Sequence, residues 1–378
     1  MTDIQQFQVP VCAEEVSWIR ERVADYRWFE EPENAGWLYG ANRKYMQALQ
    51  KRWLEGFDWE AAVEKLNSHP HFRAEVEDGF HLHFIHRRSS RADAQPLLIS
   101  HGWPGSVLEF THLLDRLCEP EDESLPAFHV VTPSLPGYAW SDKPKAPIGP
   151  RGVARLYNKL MVDVLGYDSY IAQGGDWGCL ISAWIGLDSS NVIAIHLNGY
   201  GLSVADSHPE TNEEKRWLRR ASRVREMETA YLQIQATKPQ SLGFAMMDSP
   251  MGVAAWLAEK FCSWVDKGED GEPLFDMDWL LANIMIYLTT RSFNTASWIY
   301  RGLFEEGGFA MPKGAKVEVP VGVANFPKDL LSFPPRTMVE RGYNVQHWTD
   351  MPSGGHFASV EEPELFLNDI RKFVAALV

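Results

Sequence analysis

A doubly wound, mostly parallel α/β sheet, with helices inserted into it and helices ahead of it, is the fold class that the sequence predicts. Three observations predict it. Near-continuous apolar runs recur at 97–100, 128–132, 170–173, 192–197, 319–324 and 345–349, as in parallel strands buried on both faces. Segments with helical spacing of apolar residues, at 108–117, 154–165 and 179–187, separate several of these runs. One gap, from 197 to 319, is too long for a crossover and carries helical stretches of its own at 213–235, 249–262 and 278–290.

Taken in order, 16–28 and 42–54 show helical periodicity, and 58–66 reads as a third helix capped by Asp58. At 80–86, Phe80, Leu82 and Phe84 alternate with His81, His83 and Ile85, which predicts an early strand. The expected organisation is an N-terminal extension over 1–92 wrapping the core, an α/β core over 93–202 and 313–378, and a helical lid over 203–312. A lid there would cover the strand ends, where open α/β sheets bind ligands. The chain is expected to end in a helix over 363–378.

The 378 residues are 45% hydrophobic and 23% charged, enough to bury a large core. A net charge of -15 disfavours nucleic acid, whose phosphates would repel the surface. The four cysteines, Cys12, Cys118, Cys179 and Cys262, lack metal-ligand spacing and read as free thiols. The first thirty residues carry Asp3, Glu14, Glu15, Arg20, Glu21 and Arg22, unlike a signal peptide, and no run of about 18 apolar residues predicts a membrane span. The expected location is cytoplasmic. Some of the 15 tryptophans and 19 phenylalanines are expected to line an apolar cavity.

Gly174, Gly175, Asp176, Trp177 and Gly178 follow the run 170–173 and open the helical stretch at 179. This is the Gly-x-nucleophile-x-Gly elbow of α/β-hydrolases, with aspartate where serine is usual. A carboxylate can displace a leaving group from an sp3 carbon and leave an ester, which water can cleave; serine would leave an ether. Aspartate here therefore points to alkyl transfer, with epoxides or alkyl halides as electrophiles.

After 97–100 come His101, Gly102, Trp103, Pro104, Gly105 and Ser106. A loop in this place supplies an oxyanion-hole donor: the backbone N–H of Trp103 is available, and that of Trp177 is the second. Pro104 has no N–H; its ring can fix the loop, through a cis peptide after Trp103. His356, in the loop between 345–349 and the last helix, is the candidate base, with Phe357 beside it. Asp329 suits the orienting acid; Asp350 and Glu340 compete. His81, His83 and His86 lack a neighbouring carboxylate or thiol in sequence, and no metal is expected. Tyr231, Tyr287 and Tyr300 lie in the inserted segment as phenol donors, and spacing does not choose among them.

These motifs, with Gly36, Trp37, Tyr39, Gly40, Asp58 and Trp59 early on, 134–138 (Ser-Leu-Pro-Gly-Tyr), 237–239 (Thr-Lys-Pro) and 248–250 (Asp-Ser-Pro), resemble the epoxide hydrolases of the α/β-hydrolase fold. The likeness is to the branch with microsomal and juvenile-hormone enzymes. The resemblance implies Asp176 as nucleophile, Asp329 as the acid (many relatives have Glu there), His356 as base, and Tyr231 and Tyr300 as epoxide-polarising phenols, leaving Tyr287 as packing. It implies an apolar or aromatic epoxide substrate, water as co-substrate, no cofactor and a vicinal diol product. The membrane anchor of some relatives is not expected to carry over. Oligomeric state stays open, a homodimer included. Ala139 and Trp140 stand where the family commonly has Gly and Phe, so Trp140, with Pro104 and Phe357, is expected to line the pocket. A haloalkane dehalogenase, with Trp177 donating its indole N–H to a halide, is the alternative.

Overall fold

The computed structural model describes residues 3–205, 207–268, 273 and 276–377. Nine strands form one sheet: β1 (Ile4–Phe7), β2 (His71–Glu77), β3 (Phe80–Arg87), β4 (Gln95–Ser100), β5 (Phe128–Pro133), β6 (Tyr170–Gly174), β7 (Val192–Leu197), β8 (Val317–Asn325) and β9 (Tyr343–Asp350). The spatial order is β1-β2-β3-β5-β4-β6-β7-β8-β9. The first three strands add on antiparallel, and β5 through β9 run parallel. The winding reverses between β4 and β6, so the loops leaving their C-terminal ends meet side by side, the usual place for a ligand in an open α/β sheet.

Two strands, β1 and β2, were not expected from sequence: β1 is a polar edge, and β2, HFRAEVE, mixes charged and apolar residues. The expected helix at 16–28 ends sooner, at Ala24. The stretch 108–117 is two 3₁₀ turns and the short helix Leu114–Cys118. The stretch 213–235 breaks at Thr229 into Asn212–Glu228 and Ala230–Thr237. The first of these starts on a full capping box, Thr211 with Glu214. Between β7 and β8 the described residues form seven helices, from Asn212–Glu228 to Trp298–Glu305.

The N-terminal helices Ala13–Ala24 and Arg43–Glu55 press Ile19, Val23, Leu49 and Trp53, all buried, towards the helices Pro250–Ser263 and Met277–Thr289. Arg52 pairs with Asp278 at 2.6 Å, Arg291 with Glu15 at 2.6 Å, and Arg22 with Asp248. These pairs are surface-exposed and worth about 0–1 kcal/mol each, so the apolar contacts do most of the holding.

Several buried histidines are held neutral. His71 Nδ1 meets His83 Nε2 at 2.9 Å, His83 Nδ1 meets Ser134 Oγ, and burial lowers His71 to about 4 and His83 well below its usual value. Burial also lowers His86 and His101 to about 4. A histidine with a depressed folded value stabilises the fold above the unfolded value of about 6.5, and that stability goes as pH falls towards 4. Glu109 and Glu361, raised to about 8 and about 7, oppose this as their carboxylates protonate, but they are two against these four histidines. The expected result is a melting temperature that falls between pH 6.5 and 4, measured by thermal denaturation across that range, with a shallower fall in His71→Gln.

Candidate active site

Strand β6 ends at Gly174, and the helix Trp177–Asp188 starts two residues after Gly175. Between them Asp176 sits at φ 49°, ψ −121°, a conformation that non-glycine residues rarely adopt and that throws its side chain above the sheet. Close packing beneath the turn explains its glycines: a Cβ on Gly178 would lie 2.1 Å from the Ser100 carbonyl oxygen, and one on Gly174 2.0 Å from that of Gly178. Asp176 occupies the N-cap, where the helix dipole favours negative charge.

The β4 loop arrives from the neighbouring strand. The Trp103 N–H donates to Asp176 Oδ1 at 2.8 Å, and the Trp103–Pro104 peptide is cis. Trp177 is the first residue of its helix, so its N–H has no acceptor within that helix. The helix Met277–Thr289 grips the loop from the other side: Asn283 Nδ2 donates to the Pro104 carbonyl at 2.9 Å and Tyr287 Oη to that of Gly105 at 2.9 Å. Tyr287 thus serves the loop's backbone, and its hydroxyl is already engaged.

From β8 and β9 come the acid and the histidine. Asp329 Oδ1 lies 2.7 Å from His356 Nδ1, and the two loops are tied by the Lys328 N–H on the Gly354 carbonyl, 3.0 Å. His356 Nε2 is 3.3 Å from Asp176 Oδ2, outside full hydrogen-bond geometry. Burial draws the His356 ring down, but Asp329 and Asp176 outweigh it, and the imidazole is held well above its ordinary value. The ring thus lies between two carboxyl groups that favour its protonated form. The competitors lie elsewhere: Asp350 Oδ1 accepts from Asn325 and Trp348, and Glu340 pairs with Arg336 at 2.7 Å.

Over the pair stands an aromatic box. Tyr231 stacks on Trp103 with centroids 5.0 Å apart and planes 12° from parallel; Tyr300 sits edge-on to Trp177 at 4.6 Å; Trp264 meets the His356 ring at 5.0 Å. Tyr231 and Tyr300 are 5.9 Å apart centre to centre. Burial, with Asp176 nearby, raises both phenols above their ordinary value, so they remain neutral donors. Pro104 is buried in the loop, and Phe357 stacks on Phe261 at 4.2 Å beside His356.

Trp140 is elsewhere, contrary to the expectation from sequence. It packs edge-on to His83 at 4.9 Å and against Phe7 and His71. The chain turns back at Gly137, whose N–H donates to the Asp142 carbonyl, and the Asp142 N–H donates to that of His81, so residues 139–142 fold onto β3. The histidines weighed for metal are occupied in other ways: His81 Nδ1 lies 3.1 Å from Asp142 Oδ2, and His86 Nε2 meets Tyr167 Oη at 2.9 Å. Among the described residues no group of three or more His, Cys, Asp or Glu is arranged to hold a metal.

Sequence reasoning passed over three groups near the site. Glu109 is buried beside Gly105. Lys260 lies over the Tyr231 ring at 4.7 Å. Glu361 accepts the N–H groups of Gly355, Phe357 and Asp266 at 2.7–2.9 Å, holding the His356 loop to the segment after Pro250–Ser263.

Residues 4–110 match the family model for the epoxide hydrolase N terminus, and 95–238 that for the alpha/beta hydrolase fold. The chain is 35% identical to epoxide hydrolase 1 of Sus scrofa, covering 99% of this chain and 89% of that protein. Among solved structures, the juvenile hormone epoxide hydrolase of the silkworm Bombyx mori superposes with a TM-score of 0.89 at 29% identity, over 100% of this chain and 95% of that one. The Aspergillus niger epoxide hydrolase superposes at 0.87 and 29%, over 100% and 97%. Among the described residues no helix is long and apolar enough to cross a membrane.

Proposed function

Since this chain belongs to the epoxide hydrolase family of the α/β-hydrolase fold, we propose that it hydrolyses its epoxide through a covalent ester on Asp176. The observation that carries this reading is the carboxylate's two-sided hold, Oδ1 on the Trp103 N–H at 2.8 Å and Oδ2 facing His356 Nε2 at 3.3 Å. Oδ2 is then the attacking oxygen. It displaces the epoxide C–O bond from behind, and the freed oxygen takes hydrogen bonds from Tyr231 and Tyr300. Oδ1 becomes the ester carbonyl already seated on the Trp103 donor, with the Trp177 N–H as its partner.

Alkylation removes the negative charge from Asp176. His356 then keeps only Asp329 as its counter-charge, and its affinity for a proton drops. The imidazolium can pass its proton to the alkoxide and act as base towards water, which is how one ring serves both halves of the reaction. The tetrahedral oxyanion rests on the two tryptophan N–H groups; losing one such donor costs on the order of 10²–10³ in rate. The helices between β7 and β8 act in this reading as a lid, and the aromatic box suits a bulky apolar epoxide.

In heavy-oxygen water under single-turnover conditions, the label is expected in the Asp176 carboxylate and not in the first diol released. A labelled diol with an unlabelled Asp176 overturns the ester mechanism. Tyr231→Phe and Tyr300→Phe are each expected to slow ester formation by about 10–10²-fold, read by quenched-flow mass analysis, while ester breakdown keeps its rate.

One observation favours a second reading. Among the described residues the indole Nε1 groups of Trp103 and Trp177 are buried donors without an acceptor, the chemistry that a departing halide needs. Chloride or bromide release from haloalkanes at a rate rivalling epoxide opening would establish it; an inert haloalkane discards it.

A further inference from the structure

Beside the Asp176–His356 pair lies a small cavity of mixed lining, whose polar residues are Ser100, His101, Glu109, Asn198 and Ser359 along with the pair itself, and which neither Tyr231 nor Tyr300 lines. The space open to the centre of a water-sized sphere is ≈ 20 Å³. One water needs about 10–15 Å³ on that measure, together with two to four polar partners.

The partners are there. Ser100 Oγ is fully buried and has no hydrogen-bond partner among the described residues, while His356 Nε2, also buried, faces Asp176 Oδ2 at 3.3 Å. An unsatisfied buried polar atom costs about 1–3 kcal/mol, so a cavity lined by the Ser100 hydroxyl and the edge of the His356 ring is a site for a small polar molecule. Asn198 Oδ1 accepts from Gln173 Nε2 at 2.7 Å, which fixes that amide and leaves its Nδ2 to serve the cavity. Glu109 completes the ring. Its neighbours in sequence, Val107, Leu108 and Phe110, are all buried, and Glu109 lines the cavity. A Cβ on Gly105 would lie 1.5 Å from Glu109 Oε1, so a glycine at 105 is what lets the carboxyl lie where it does.

We propose that this cavity seats the hydrolytic water and that Glu109 is its positioning residue, holding the water against Ser100 and His356 for attack on the ester. The inference rests on the Asp176 ester proposed above. The water oxygen bonds to the ester carbonyl carbon as His356 Nε2 takes its proton. The bond from the carbonyl carbon to Oδ2 then breaks, and the imidazolium returns the proton to the departing alkoxide, giving diol and free Asp176. In the free protein burial raises the Glu109 carboxyl to about 8 against the pull of His356, with Asp176 adding to the rise; once Asp176 is esterified its charge is gone and burial remains. A neutral carboxyl both donates and accepts, so it can orient a water without competing with His356 for its proton.

The test uses the full chain, styrene oxide as probe, and rapid quenching followed by intact-protein mass, so that ester formation and decay are timed separately. Glu109→Leu is expected to form the adduct within a few-fold of the normal rate and release it about 10²-fold more slowly, the effect of a misplaced reactant. Glu109→Gln, which can still donate and accept, should slow release only several-fold. Ser100→Ala should slow release about 10-fold, the worth of one hydrogen bond, with formation unchanged. Release at the normal rate in Glu109→Leu, or equal slowing of both steps, overturns the positioning role. If Glu109→Leu does not fold, Ser100→Ala decides: normal release overturns the water site. Absence of any adduct, in these variants and in one lacking the His356 base, refutes the ester itself, a separate outcome.

Discussion

With His356 replaced by glutamine, the protein is expected to take up one equivalent of epoxide and stop. Glutamine keeps hydrogen-bonding groups near the places of the ring nitrogens, but it cannot accept a proton from water. Ester formation needs Asp176 ionised and a donor on the epoxide oxygen, and neither depends on a base. Ester breakdown does. Steady-state turnover should therefore fall by about 10²–10⁴-fold, the usual span for general-base help, while intact mass rises by that of the substrate. Peptide mapping should place the gain on Asp176. A variant that loses turnover without gaining mass counts against the covalent route. Removing the imidazolium also leaves Asp176 without the counter-charge 3.3 Å away, so a modest slowing of the first step is expected beside the large slowing of the second.

The second large effect is the reverse case. Asp176→Ala should form no adduct and return diol production to the uncatalysed background, a loss of about 10⁶-fold or more. Alanine retains the backbone of the elbow but removes the only carboxylate held on the Trp103 N–H. With one of its two anionic neighbours gone, His356 should bind its proton less tightly, and NMR titration of the ring should show the lower value. Diol formation in Asp176→Ala at even a hundredth of the normal rate would show that water can open the ring directly.

The elbow was legible because its constraint is local: two glycines must flank a strained residue between a strand and a helix, and that spacing survives in the sequence. The parallel strands were legible for a similar reason, since burial on both faces leaves continuous apolar runs. What depended on the path of a loop was not. In sequence Asp329 leads Asp350 only by its place after a strand, and the folded chain separates them: the Lys328 N–H on the Gly354 carbonyl brings Asp329 to His356 while Asp350 turns to Asn325 and Trp348. Trp140 was misplaced through the reversal at Gly137, a turn that apolar periodicity does not register. Glu109 was overlooked because one acidic residue inside an apolar stretch is usually surface, and its burial exists only once the β4 loop has closed over it. Asp369 is similar: buried in the helix Pro363–Ala375, it accepts from His196, His347 and Thr349 on β7 and β9, a linkage that no spacing in the chain announces.

The contact between the N-terminal helices and the helices above the site limits how a substrate gets in. Ile19, Val23, Leu49 and Trp53 clasp that roof from outside, so it cannot swing up as a free flap without exposing buried surface worth several kcal/mol. Substrate must therefore reach Asp176 with that clasp in place, or the clasp must give way at that cost. Turnover of large epoxides should then depend on how firmly the N-terminal helices hold the roof.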